Sequence, residues 1–233
     1  SKEMKFSVNT SEMNEAISVV TKAMPVHSSL PILDGIYIYA GVNTLFMKCS
    51  DLSLQIETEI PAIVEEEGCA VLPGKLCADL MRRFTGDTIE FETEKNSLKL
   101  RSGRVKSSLQ IIPAEEYPEM VRVKDEFSAE ISQSVLKSMI RQTIFSVSMD
   151  ESKPILGGIC LKFTSDKKLT MVALDGFRLA MRNEKISNCT GEKSVIIPYR
   201  TLTEISNILS SDDENRKLVF SSANIKLEIG TTK

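Results

Sequence analysis

The stretch PILDGIYI, Pro31 to Ile38, is nearly repeated as PILGGICL, Pro154 to Leu161, 123 residues later. If a unit is duplicated, other landmarks must recur at similar offsets, and four do. Phe6 in MKFSVNTSEM matches Phe127 in DEFSAEISQS, 121 residues on. Asp51 in LFMKCSDLSLQIE matches Asp175 in LTMVALDGFRLAM, at 124. Pro73 in AVLPGKLCADLMRRF matches Pro198 in VIIPYRTLTEISNIL, at 125, and Leu98 in SLKLRSGR matches Ile225 in NIKLEIGT, at 127. Five landmarks in one order, with slowly drifting offsets, point to two domains of one fold. A chain of 233 residues suits two domains of ordinary size. The boundary falls at Lys124 to Glu126, after the polar stretch PAEEYPEMVRVKDE, giving domains 4–125 and 126–233.

Each copy has the same order of elements. A short strand (MKFSV; EFSAEI) precedes a helix. In the first helix Met13, Ala16, Ile17, Val20, Ala23 and Met24 recur at i, i+3, i+4 spacing. Thr10 or Ser11 suits its N-cap, because a hydroxyl there accepts from free first-turn N–H groups. The counterpart runs from about Ser132 to Phe145, with Val135, Leu136, Met139, Ile140 and Ile144 inward. Strands IYIYA, LFMKC and LQIETEI follow, alternating or β-branched. Pro73 and Pro198 then open second helices, where a missing N–H costs nothing. Leu76, Cys77, Leu80, Met81 and Phe84 line one; Leu202, Ile205, Ile208 and Leu209 line the other. TIEFETE, SLKLRS and SSLQII are further strands. Helices on antiparallel sheets make an α+β architecture. The second copy reaches Gly230 without the closing strand that the first one has after Gly103.

Hydrophobic residues make up 42% and charged residues 26% of the chain, a globular composition. No apolar run approaches the roughly 18 residues of a membrane span. The polar start SKEMKFSVNTSEMNEA is no signal peptide. The five cysteines are scattered and form no CxxC pair, so reduced thiols in a cytoplasmic protein are expected rather than a zinc site or disulfides. The net charge of −3 leaves room for nucleic-acid contact only as a local patch. Chemistry is poorly supported. The single histidine, His27, leaves no Ser/His/Asp site, and neither a P-loop nor GxGxxG occurs. Asp51 and Asp175 sit at equivalent turns, which suggests Asx-turn geometry rather than catalysis. No metal, cofactor or enzymatic activity is expected.

MKFSV, LPIL (Leu30–Leu33), SDLSLQIE (Ser50–Glu57), LRSGR (Leu100–Arg104), LDGFRLA (Leu174–Ala180) and VIIP (Val195–Pro198) resemble, in order and spacing, the beta subunit of bacterial DNA polymerase III, the sliding-clamp family. The resemblance implies the DNA clamp fold, in which three like domains lie head to tail and two subunits close a ring around duplex DNA, helices inside. The first domain and most of the second are matched, the third is not, and Ser1 to Glu3 precede the family's usual start as a cloning remnant. Carried over by position, DNA contacts fall on His27, Lys75, Asp150, Pro154, Ile155 and Arg200, with Lys153 in the same loop. A peptide-binding pocket falls on Leu156, Leu174, Gly176, Phe177, Arg178 and Leu179, and a subunit interface on Arg104, Lys106, Ser107 and Leu109. The implied partners are double-stranded DNA bound without sequence preference, the polymerase III alpha subunit and other polymerases, the clamp loader, mismatch-repair and ligase-type proteins, and a second subunit in the full-length homodimer; no membrane is implied. Lys75, Arg82 and Arg83 on the second helix, Lys137 and Arg141 on the third and Arg200 on the fourth fit weak phosphate contacts, although basic residues on outward helix faces are more often simply solvated. The alternative function is a duplicated protein-binding scaffold that does not act on DNA.

Overall fold

A computed structural model describes residues 3–119, 127–221 and 224–229. They form two compact units, 3–119 with 228–229 and 127–221 with 224–227; the expected boundary at 124–126 lies outside the described residues, as do residues 1–2 and 230–233. The first unit runs β1 (Lys5–Asn9), α1 (Thr10–Val20), β2 (Gly35–Gly41), β3 (Thr44–Ser50), β4 (Leu54–Glu66), β5 (Gly68–Pro73), α2 (Gly74–Met81), β6 (Thr88–Glu94), β7 (Ser97–Ser102) and β8 (Val105–Gln110). The second runs β9 (Phe127–Ser132), α3 (Gln133–Thr143), β10 (Gly158–Thr164), β11 (Lys168–Leu174), β12 (Leu179–Lys185), β13 (Asn188–Cys189), β14 (Lys193–Pro198), α4 (Tyr199–Ile208), β15 (Asn215–Ser221) and β16 (Asn224–Ile229).

Strands of the first unit follow the order β5-β2-β3-β4-β1-β6-β7-β8. The 13-residue β4 serves both halves, pairing with β3 through its first part and with β1 through its second. The second unit repeats this order, without a counterpart of β8 among the described residues. Its counterpart of β4 is interrupted at Ile186 and Ser187, so β12 pairs with β11 and the short β13 with β9. The remaining order is β12-β11-β10-β14 and β13-β9-β15-β16. The duplication therefore extends to register: Gly35 faces Pro73 in one unit, and Gly158 faces Pro198 in the other.

Helix α1 buries Met13, Ala16, Ile17 and Val20, one stripe at helical spacing. Its N-cap is Asn9, whose Oδ1 accepts from the Glu12 N–H at 3.1 Å. Thr10 is not the cap because its hydroxyl donates to the Gly86 carbonyl. Leu136, Met139 and Ile140 of α3 are buried, whereas Val135 and Ile144 are only half-buried. In the short α2, Cys77 and Met81 are buried, but Leu76 is 57% exposed, contrary to its expected inward place. The repeated PILD and PILG are 3₁₀ turns, Pro31–Asp34 and Pro154–Gly157, that deliver the chain into β2 and β10; the strands themselves begin at the glycines. Phe6 stacks on Phe91 at 4.7 Å in the first core. Phe127, Phe163 and Phe220 meet at 4.9–6.0 Å in the second.

Candidate nucleic-acid interface and peptide-binding site

Lys75 and Arg200 occupy the second positions of α2 and α4, and both are exposed. The local cause is the same in each copy. A strand ends at proline (Pro73, Pro198), and the helix begins at once, so its first turn projects from the sheet end. Arg200 Nε donates to the Tyr199 hydroxyl at 3.3 Å, which with the charge of Glu151 holds the guanidinium above its ordinary pKa. His27 and Asp150 also stand at equivalent places, in exposed loops after the first helix of each unit.

The loop SMDESKP is organised by Asp150. The N–H of Ser152 and its hydroxyl donate to Asp150 Oδ1 at 3.0 and 2.6 Å. Those bonds, the hydroxyl foremost, hold the carboxyl below its usual range. Lys153 Nζ lies 3.9 Å from Asp150 Oδ2. Asp150 thus shapes the loop and partly offsets the charge of Lys153. Pro154 and Ile155 are exposed, Ile155 by 69%. Between α3 and α4 runs a groove of about 410 Å³ lined by Lys137, Arg141, Ser138, Thr203, Ser206 and Asn207 among others. Lys137 is committed within it, donating to the Leu209 carbonyl at 2.9 Å; Arg141 is exposed.

The second cluster is built on the β11–β12 hairpin. Leu174 and Leu179 face each other across it. Between them Asp175 Oδ1 accepts from the Phe177 and Arg178 N–H groups at 2.9 and 2.8 Å, and Oδ2 takes Arg178 Nε at 2.9 Å. Gly176 has φ +96°, in the left-handed region that glycine enters freely. The turn projects Phe177, 97% exposed, and leaves Leu179 64% and Leu174 39% exposed. Leu156 is half-buried in the 3₁₀ turn before β10. The exposed Met181 and Ile196 (59% and 52%) extend the apolar surface. Sequence reading missed both; their outward positions on alternating strands were the available signal.

Arg104, Lys106 and Ser107 lie at the β7–β8 turn and along β8, the last strand of its sheet. Arg104 and Lys106 are exposed, Ser107 is half-buried, and the Leu109 side chain is buried. Lys106 and Ser107 also border a concavity of about 890 Å³ over strands β1, β6, β7 and β8. Among the described residues no group of three His, Cys, Asp or Glu side chains is placed to hold a metal, and no helix is long and apolar enough to cross a membrane.

Two α+β units in tandem, each with two helices laid on antiparallel sheets and with matching registers, define the DNA clamp fold. The fold of the "DNA polymerase sliding clamp" from Bacillus subtilis superposes on the whole chain with a TM-score of 0.86 at 29% identity, covering 66% of that structure. The beta subunit of Streptococcus pyogenes DNA polymerase gives 0.86 at 25% over 96% of this chain and 61% of that one. A family profile described as the N-terminal domain of the DNA polymerase III beta subunit matches residues 4–121, and that of its central domain matches 130–233. This chain belongs to the DNA polymerase III beta subunit family. The "Beta sliding clamp" of Bacillus subtilis (strain 168) is 32% identical over 226 residues, 93% of this chain and 59% of that protein. A Staphylococcus epidermidis relative is 30% identical over 97% and 62%. The chain thus spans about three fifths of the length of these curated relatives.

Proposed function

We propose that this chain acts as part of a ring-shaped sliding clamp that encircles duplex DNA and keeps a replicative polymerase on its template. One observation carries the reading beyond family membership: both copies present an exposed cation, Lys75 and Arg200, at the same helix start. A ring that slides needs repeated, weak, sequence-blind contacts to phosphate, which such cations supply. His27, Asp150, Lys153, Pro154 and Ile155 stand in the loops beside them as further DNA-facing positions. The role is non-catalytic: the protein holds by topology and recruits by contact.

Leu156, Leu174, Gly176, Phe177, Arg178 and Leu179 form the recruiting site. Aliphatic walls suit leucine or phenylalanine anchors, and Arg178 at the rim orients a peptide. Its occupants are short motifs of the polymerase III alpha subunit and other polymerases, the clamp loader, and mismatch-repair and ligase-type proteins. Arg104, Lys106, Ser107 and Leu109 on the β8 edge mark the contact to a second subunit in the homodimeric ring, Leu109 through its backbone. The site of action is the cytoplasm.

The complete gene product, loaded on nicked circular DNA by its clamp loader, tests this. Linearising the DNA is expected to release the protein through the free ends. Retention unaffected by linearisation sinks the ring and favours a scaffold that does not act on DNA.

A further inference from the structure

The loop after the first helix is tightly turned in both copies but charged in only one. With Pro31 matched to Pro154, the residues His27, Ser28, Ser29 and Leu30 stand where Asp150, Glu151, Ser152 and Lys153 stand in the second unit. In the first unit a neutral group makes the turn. The Ser28 hydroxyl accepts from the Leu30 N–H and donates to the Leu30 carbonyl, each at 2.9 Å. In the second unit a carboxylate makes it, Asp150 Oδ1 accepting from the Ser152 N–H and hydroxyl. A serine hydroxyl thus suffices to shape such a loop, and the negative charge of Asp150 is an addition that the turn does not require. The first unit's loop is exposed like the second's, with the following segment through Tyr117 packed elsewhere, on Leu33 and Val71.

The added charge is aimed at a cation. The turn bonds fall on Oδ1, while Oδ2 lies 3.9 Å from Lys153 Nζ, and both side chains are open to water. Glu151 is exposed beside them. Behind the hydrogen bond to Tyr199, its charge also raises the Arg200 pKa. The second unit therefore offers DNA two cations, Lys153 and Arg200, and sets a carboxylate of its own loop against each. The matching positions of the first unit, His27 to Leu30, hold no carboxylate.

We propose that Asp150 is a built-in competitor for DNA phosphate. Its carboxylate takes the place on Lys153 that a phosphate oxygen would take, and Glu151 repels the backbone beside Arg200. The second unit then holds the duplex weakly enough to be let go at each step of sliding. Asp150 in this role opposes DNA contact rather than making one. The inference rests on the reading of this loop as DNA-facing. Its effect is modest, because an exposed ion pair is worth little, and it fades with salt.

The complete gene product is titrated onto a fluorescent duplex over a range of salt, and loaded in parallel on nicked circular DNA that is then linearised. Asp150→Asn keeps Oδ1 as acceptor for Ser152 and removes the charge. It is expected to tighten binding about twofold to fivefold at low salt, the worth of an exposed ion pair. The log–log salt slope is expected to steepen by up to about 1. In a Lys153→Ala background most of that gain is expected to vanish. Unchanged or weaker binding by Asp150→Asn overturns the proposal, and so does a gain that survives in full without Lys153. Lys153→Ala alone leaves the Asp150–Ser152 bonds in place and guards against a loosened loop in the Asp150 variant. It is expected to cost less affinity than Lys75→Ala, because Lys153 is already partly neutralised; an equal or larger loss overturns the proposal. A wild-type protein that binds no duplex and is not released by linearisation sinks the DNA-facing reading as well. Wild-type release through the free ends, beside an unresponsive Asp150→Asn, sinks this inference alone.

Discussion

Asp51 and Asp175 do the same work 124 residues apart. Each Oδ1 accepts two backbone N–H groups, from Ser53 and Leu54 in one case and from Phe177 and Arg178 in the other. This is the Asx geometry expected from their equivalent places in the sequence. The residue after each has positive φ, +74° for Leu52 and +96° for Gly176. Sequence alone did not show that a leucine would bear that conformation, since glycine is the ordinary choice. Gly176→Ala is expected to cost about 1 kcal/mol by urea unfolding, the penalty of placing a Cβ in the left-handed region. The hydrogen bonds from Phe177 and Arg178 hold the Asp175 carboxyl down to about 2, from an ordinary 3.8. The folded value lies below the unfolded one, so the turn's contribution is complete above pH 3.8 and is lost as pH falls toward 2. In an NMR titration the Phe177 and Arg178 amides are expected to shift with a midpoint near 2; a midpoint near 4 would disprove the bonded turn.

At the scale of elements, the repeated glycines are close-approach positions. A Cβ on Gly158 would lie 2.6 Å from Ile196 Cγ2 and 3.0 Å from the Ile197 carbonyl oxygen; on Gly35 it would lie 2.3 Å from Val71 Cγ1. Gly158→Ala is expected to lose about 1–3 kcal/mol, as overpacked sites do, measured by thermal or urea melts. Strands with alternating patterns, such as β6 and β7, were legible to the residue. The short β5 and β14 were not, because each runs directly into a helix and its apolar residues read as that helix's approach. Leu76 was misplaced because α2 has only eight residues, too few for spacing to separate its core stripe from a flank. Burial decides the thiols. Cys49 and Cys77 are 0% exposed, and desolvation pushes Cys77 up to about 12. Both are expected to resist thiol reagents until the protein unfolds, while Cys69, Cys160 and Cys189, only half-buried, react first; rapid native labelling of Cys77 would contradict the packing.

At the scale of the molecule, the repeat was legible in its landmarks because backbone register outlasts side-chain identity, whereas the break between β12 and β13 was not. The sites were legible only as positions. Nothing in the sequence revealed that Asp150 folds its own loop, or that Lys137 is tied to the end of α4. For the complete gene product, replacing Lys75 or Arg200 by Ala is expected to lower the log–log salt slope of DNA association by about 1 per cation and equally for all sequences. An unchanged slope would remove these residues from the interface.

The matching registers also have a consequence during synthesis. Two units whose strands accept the same partners offer one another plausible but wrong neighbours while the chain is still partly folded, a hazard of tandem repeats. Here the aromatic packing of the two cores differs. In the first unit Phe6 lies flat on Phe91, with ring planes 9° apart. In the second, Phe127 tilts at 48° to Phe163 and 41° to Phe220. A strand that entered the other unit's slot would bring an aromatic ring shaped for a different packing, leaving voids or clashes that favour its release. Different ring packing in the two cores thus works against pairing of a strand with the wrong copy.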